Sequence, residues 1–305
     1  MKTKTIKNTK KDYLTTQNPL LALFIFFIPI ALGNIFQQFY NLVDSAILGK
    51  FVSEQALAAA AACLSLSNVF IFIANGYGIG AGVIVGNYFG AKNFKKMKEV
   101  ILTAFITSLA ISIVLGIFGI AFGKLILALL KTPEDTIGLA GIYLQIYFFG
   151  LPFVFLYNVT SAMFNALGES KYPLIFLIAS SLLNIFLDLF FVIKLNSGIE
   201  GVAYATLIAQ GCACIISLTV FFKKLKKLNI GETKYFDKFE LSRITKIALP
   251  SILQQATISI GLMLIQSTVN SFGSQALAGY SVGMRIESLG SAAVIACGAS
   301  LSTFT

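Results

Sequence analysis

Apolar residues in this chain run in long blocks, and the polar ones fall either between the blocks or in regular stripes inside them. Eight blocks reach the roughly 20 residues that a helix needs to cross a hydrocarbon core of about 30 Å. They cover approximately 19–48, 56–87, 99–123, 136–163, 172–193, 199–222, 244–270 and 275–305. The pattern predicts an all-α polytopic membrane protein of about eight transmembrane helices.

The polar stripes carry the candidate chemistry. In NIFQQFYNLVDSAILG (34–49), Asn34, Gln37, Asn41 and Asp44 are spaced three, four and three apart and share one helical face. Each unsatisfied polar group turned to lipid would cost several kcal/mol, so this face lines a bundle interior or a water-filled cavity. Ser181, Asn184 and Asp188 repeat the spacing in the fifth block, and Thr206 and Gln210 lie four apart in the sixth. Asn158, Ser161 and Asn165 form a further stripe beside Pro152, and Asn68 and Asn75 share a face of the second block.

A charged side chain at the bilayer centre costs about 2.5–3.5 kcal/mol on insertion scales. Asp44 and Asp188, with amide and hydroxyl neighbours, therefore point to a site for a proton or a small cation. A carboxyl shielded from water beside a second one can hold a proton near neutral pH, and oxygen ligands from Asp, Asn and Thr suit a monovalent ion equally. The competing reading makes the acids hydrogen-bonded fixtures between helices. Two acids with adjoining asparagines favour the ion site.

Composition agrees with the block pattern. The chain is 57% hydrophobic and 12% charged, with a mean hydropathy of +0.84, whereas soluble domains carry roughly a quarter charged residues. The net charge of +10 raises nucleic acid as a partner, and the placement of the cations excludes it. Eighteen of the 23 Lys and Arg lie in the amino tail, the second and fourth gaps or the polar connection 223–246, including Lys92, Lys95, Lys96 and Lys98 and the run Lys223, Lys224, Lys226, Lys227. That is the positive-inside bias of a membrane protein with a cytoplasmic amino terminus. The four cysteines all fall inside blocks, without a CxxC pair, and the chain has no His; they read as small apolar residues. The glycines of NGYGIGAG lack the context of a phosphate loop and read as helix-packing positions.

The long polar connection 223–246 divides the chain into an amino-terminal lobe of six helices (1–222), a cytoplasmic linker and the first two helices of a second lobe (247–305). ALPSILQQ in the seventh block echoes FIPIALGN in the first, and SFGSQALAG echoes KFVSEQALAA; Pro250 stands 221 residues after Pro29. An even number of spans per unit makes the two copies parallel repeats. The chain stops inside an apolar block, and the expectation is of a truncated chain whose remaining carboxy-terminal helices complete the second lobe. At the same offset Gln37, Asn41 and Asp44 fall on Ile258, Leu262 and Ile265, so the acid belongs to the amino-terminal half alone. Arg285, beside Glu287 in the eighth block, has no assigned role.

These residues resemble the multidrug and toxic compound extrusion (MATE) transporters, most of all the bacterial MepA-like and DinF-like members. The resemblance rests on PIALGNIFQQFYNLVDSAILG, the turn NALGESKYP, the fifth-block NIFLD, the sixth-block GIEGVAYATLIAQ and the Pro-led seventh block. It implies a twelve-helix, two-lobed exporter of the bacterial plasma membrane, driven by protons or sodium and working as a monomer when full length. It implies that Asp44, Asn184, Asp188 and Thr206 bind the coupling proton or sodium. Gln37, Tyr40, Asn41, Asn158, Ser161, Ser181 and Gln210 would face the substrate. Leu189 stands where related members commonly carry proline, which removes an expected distortion beside Asp188.

The resulting reading is a secondary multidrug antiporter, not an enzyme, that needs no cofactor and exports organic, cationic or amphipathic compounds by alternating access. Phe and Tyr, 13% of the chain, can line a pocket for flat hydrophobic cations, although most serve as lipid-facing and core filler. A lipid-linked oligosaccharide flippase of related fold would favour an Arg-rich cavity, and the blocks hold one Arg. An intramembrane aspartyl hydrolase would need a GxGD-like or HExxH motif, and neither is present.

Overall fold

The computed structural model describes residues 19–129, 134–228 and 230–270, together with isolated positions between 283 and 301. The described residues are almost entirely helical. We number the helices α1 (Pro19–Ile47), α2 (Glu54–Gly90), α3 (Phe94–Leu129), α4 (Glu134–Phe149), α5 (Leu151–Ala166), α6 (Lys171–Leu189), α7 (Gly198–Lys227) and α8 (Lys238–Asn270). Short π-helical turns, Leu48–Val52 and Phe190–Lys194, extend α1 and α6. Among the described residues five helices are individually long and apolar enough to cross a membrane, and α4 and α5 meet the same criterion only when taken together.

Two expectations change. The fourth block, read as one span over 136–163, is a broken one, with α4 and α5 meeting at 51°. Pro152 opens α5 without an N–H to give to the preceding turn. At the joint, Gly150 lets α7 approach so closely that a Cβ there would lie 2.7 Å from Leu207 Cδ1. The polar connection also shortens: α7 runs through Lys227 and α8 begins at Lys238. α8 carries the Pro-led seventh block, with Pro250 inside the helix. Arg285 and most of the eighth block lie outside the described residues.

The apolar residues that remain exposed form the surface a bilayer would cover. On α1 they are Leu21, Phe24, Ile28, Leu32, Phe39 and Leu42, at helical spacing along one face. Two buried clusters hold the bundle. One surrounds Phe148, Phe155 and Leu144 near the end opposite the lysine clusters; the other surrounds Phe164, Phe221, Met97 and Ile101 near the basic end.

The glycines of NGYGIGAG work as packing positions on two faces of α2. A Cβ on Gly76 or Gly80 would strike α8, and one on Gly78 or Gly82 would press on Ala162 of α5. Gly80 meets backbone most closely, since its Cβ would stand 2.8 Å from the Ala248 backbone nitrogen and 2.8 Å from the Ile244 carbonyl oxygen. Backbone atoms cannot rotate away. Gly80→Val should therefore destabilise the protein by about 1–3 kcal/mol, read as a lowered thermal midpoint in detergent. Gly138→Ala, where nothing stands within 4 Å, should leave the midpoint within error.

Ion pairs at the basic end tie α8 to α2 and α3. Tyr88 donates to Glu240 Oε1 at 2.8 Å, and Arg243 reaches both Glu240 (3.1 Å) and the Tyr88 hydroxyl (2.6 Å). Asp237 caps α8 by accepting from the Phe239 N–H at 2.9 Å and meets Lys96 of α3 at 3.4 Å. The Phe239 amide and Lys96 hold its carboxyl below the ordinary range, so the cap persists above that range and is lost as pH falls through the lowered pKa. Glu240 is 1% exposed. Glu240→Ala strands Tyr88 and Arg243 and is expected to cost about 1–3 kcal/mol in denaturant unfolding.

Candidate functional site

α1, α6 and α7 bring together the four residues of the candidate ion site. Asp188 is fully buried and Asn184, one turn earlier on α6, is 2% exposed. The Asp44 and Asp188 carboxyls are close enough to act on each other electrostatically, an arrangement that disfavours two negative charges at once. One oxygen of each, Asp44 Oδ1 and Asp188 Oδ1, is buried without a hydrogen-bond partner. Such orphaned anionic oxygens are suited to a proton or a small hard cation.

Asn184 links the acids to their surroundings. In the orientation that satisfies both ends of its amide, the nitrogen donates to Asp188 Oδ2 and to Tyr40 Oη, 3.0 Å each, and the oxygen accepts from the Thr206 backbone N–H at 3.1 Å. The Thr206 hydroxyl lies 3.3 Å from the same end of the amide, and Tyr40 also contacts Thr206. Tyr143 of α4 comes within electrostatic reach of Asp44 and Tyr40. Sequence reasoning missed it, because one tyrosine in an apolar helix carries no spacing signal.

The acids are shallower than expected. Asp44 precedes the end of its π-helical turn by eight residues and Asp188 by six, about 12 and 9 Å at 1.5 Å per residue. The pair therefore sits toward the end of the bundle away from the lysine clusters. The distortion that Leu189 was expected to remove is present all the same. α6 gives way to its π-helical turn at Phe190, directly after Leu189.

A cavity of about 520 Å³ opens between α1, α2, α5, α6 and α7. All seven residues expected to face substrate line it: Gln37, Tyr40, Asn41, Asn158, Ser161, Ser181 and Gln210. Asn184 and Thr206 line it too, whereas Asp44 and Asp188 lie behind them and outside its wall. Tyr40, Asn184 and Thr206 are thus the partition between cavity and acids. Ser180, Tyr157 and Ser170 also contribute to the wall and were not anticipated. Ser170 lies just before α6, and Ser180 interrupts no stripe when read alone.

The MatE family profile matches residues 29–190, more than half of the chain and a stretch that holds both acids. The chain belongs to the MatE family. A probable multidrug resistance protein, YpnP of Bacillus subtilis, is 34% identical over 295 residues, covering 96% of this chain and 66% of the relative. The multidrug export protein MepA of Staphylococcus aureus is 24% identical over 283 residues, covering 92% and 62%. A solved MATE structure in the straight conformation superposes with a TM-score of 0.89 at 24% identity, covering 98% of this chain and 67% of that one. The chain therefore spans about two-thirds of the length of the relatives it matches.

Within this MatE chain, the matched segment runs from Pro29 on α1 to the end of α6 and takes in most of the cavity wall. The fold is that of a membrane transporter family, and what its relatives are named for is multidrug resistance and export. Thr206 and Gln210 lie beyond the match, on α7, and their place in the wall is known from the geometry.

Proposed function

We propose that this protein contributes the ion-coupled half of a secondary antiporter that exports organic, cationic or amphipathic compounds in exchange for protons or sodium. One observation carries the reading: two neighbouring carboxyls, Asp188 fully buried and Asp44 half-buried, stand next to a drug-sized cavity whose wall holds Tyr40, Asn184 and Thr206. Cavities of about 300–1,000 Å³ suit drug-sized ligands.

When the acids hold a proton or sodium, Asn184 donates to Asp188 and the partition is fixed. When they are both charged, repulsion between them and the missing cation favour another arrangement of α1 against α6, in which the cavity accepts substrate. A cation and an organic compound then exclude each other, which alternating access requires. The half carrying the acids faces a second, parallel unit that begins at α8, in a plasma-membrane protein whose amino terminus is cytoplasmic.

The test is efflux of a fluorescent organic cation from cells expressing the protein, with the pH and sodium gradients imposed separately. Export should follow at least one of them and stop when both are collapsed. Export that persists without either gradient contradicts the proposal.

A further inference from the structure

We infer that the basic ends of α3 and α7 form a binding site for an anionic phospholipid, with its headgroup on lysines and its acyl chains along two apolar stripes. On α7 the exposed residues Ile208, Ile215 and Phe222 are spaced seven apart and share one face, and the exposed Lys226 follows one turn later. On α3 the exposed Lys95 shares a face with the exposed Ile106 and Ile113. Each stripe thus runs from apolar residues to a lysine at the same end of the bundle.

Toward that end the two helices touch through aromatic rings. Phe105 of α3 stands 5.3 Å from Phe222 and 5.9 Å from Phe221 of α7, ring centre to ring centre, and Phe164 of α5 lies 5.2 Å from Phe221 behind them. Two turns below Phe105 on the same face is Lys98, whose ammonium donates to the carbonyl oxygens of Ile230 and Gly231 at 3.5 and 3.4 Å. Those acceptors are neutral and leave its charge uncompensated.

The nearby carboxylates are mostly taken. Glu99 and Asp237 pair with Lys96, Glu169 pairs with Lys224, and Glu240 pairs with Arg243. Glu232 remains, exposed, beside Gly231. Among the described residues Lys98, Lys223, Lys226 and Lys227 have no carboxylate partner. Unneutralised lysines at the basic ends of two helices that carry exposed apolar stripes complement a headgroup phosphate, and the stripes complement acyl chains. A soluble anion would use the lysines and leave the stripes idle; a zwitterionic lipid would use the stripes and gain little from the lysines.

The experiment is mass spectrometry of the intact full chain released from micelles carrying equal amounts of phosphatidylglycerol and phosphatidylcholine. The protein should retain phosphatidylglycerol at least tenfold more than phosphatidylcholine, and Lys98→Gln with Lys226→Gln should reduce that preference at least tenfold. Lys98→Arg with Lys226→Arg should keep it, as should Lys92→Gln at the exposed turn before α3. If the double Gln variant does not fold, Lys226→Gln alone carries the test, since that side chain is exposed, and is expected to lower retention severalfold. Equal retention of the two lipids, an unchanged preference in the folded Gln variant, or release of phosphatidylglycerol by equimolar inorganic phosphate would overturn the inference.

Discussion

Asp188→Asn and Asp44→Asn are each expected to reduce gradient-driven export of an organic cation to the passive level while leaving thermal stability unchanged or slightly raised. Asn matches Asp in shape but stays neutral, so either variant mimics a pair that never gives up its cation. One proton exchanged per cycle supports about a tenfold concentration ratio per unit of pH gradient, and that ratio should collapse to one. The stability readout separates coupling from scaffolding. A carboxyl kept only to hold α1 on α6 should weaken the bundle when replaced, whereas removing a costly buried charge should not. Efflux and the thermal midpoint, measured on the same preparation, distinguish the two.

The second large effect is expected at the cavity. Ser181 lines it from α6 and is 4% exposed, one turn from Asn184 on the face that also carries Asp188. Ser181→Trp places an indole in the 520 Å³ space and should weaken organic-cation binding at least tenfold, since a rigid ring fills volume the ligand needs. Ser181→Ala should change it less than threefold. Because the chain has no Trp, the introduced indole is the sole one present. Its fluorescence reports whether ligand still reaches the cavity. Cation binding at Asp44 and Asp188 should survive, because those carboxyls lie behind the partition.

Much of this site was legible in the sequence because α-helical geometry converts spacing into facing. Gln37 and Asn41 of α1, Ser181 and Asn184 of α6, and Thr206 and Gln210 of α7 stand at intervals of three or four, and their stripes point into one cavity. What spacing cannot give is depth and relation between helices. It set Asp44 in one stripe with Gln37 and Asn41, and Asp188 in one with Ser181 and Asn184, without showing that the cavity wall takes in these partners and leaves out both acids. Hydropathy read straight through FFGLPF, so the 51° joint at Gly150 escaped although Pro152 was noticed. The glycines of α2 were read as packing positions, and their division between α8 and α5 depended on tertiary neighbours that no local pattern encodes. Tyr143 comes within electrostatic reach of Asp44 from an element more than ninety residues away in sequence, a proximity that only the assembled bundle makes visible.

The most direct measurement is cation release on substrate binding. Purified protein in weakly buffered solution is titrated with an organic cation while a pH dye and a sodium electrode record what leaves. Release of a proton or a sodium ion should approach one per molecule of ligand bound and should vanish in Asp188→Asn. Ligand binding with no release of either ion, or undiminished release from the variant, would contradict the account.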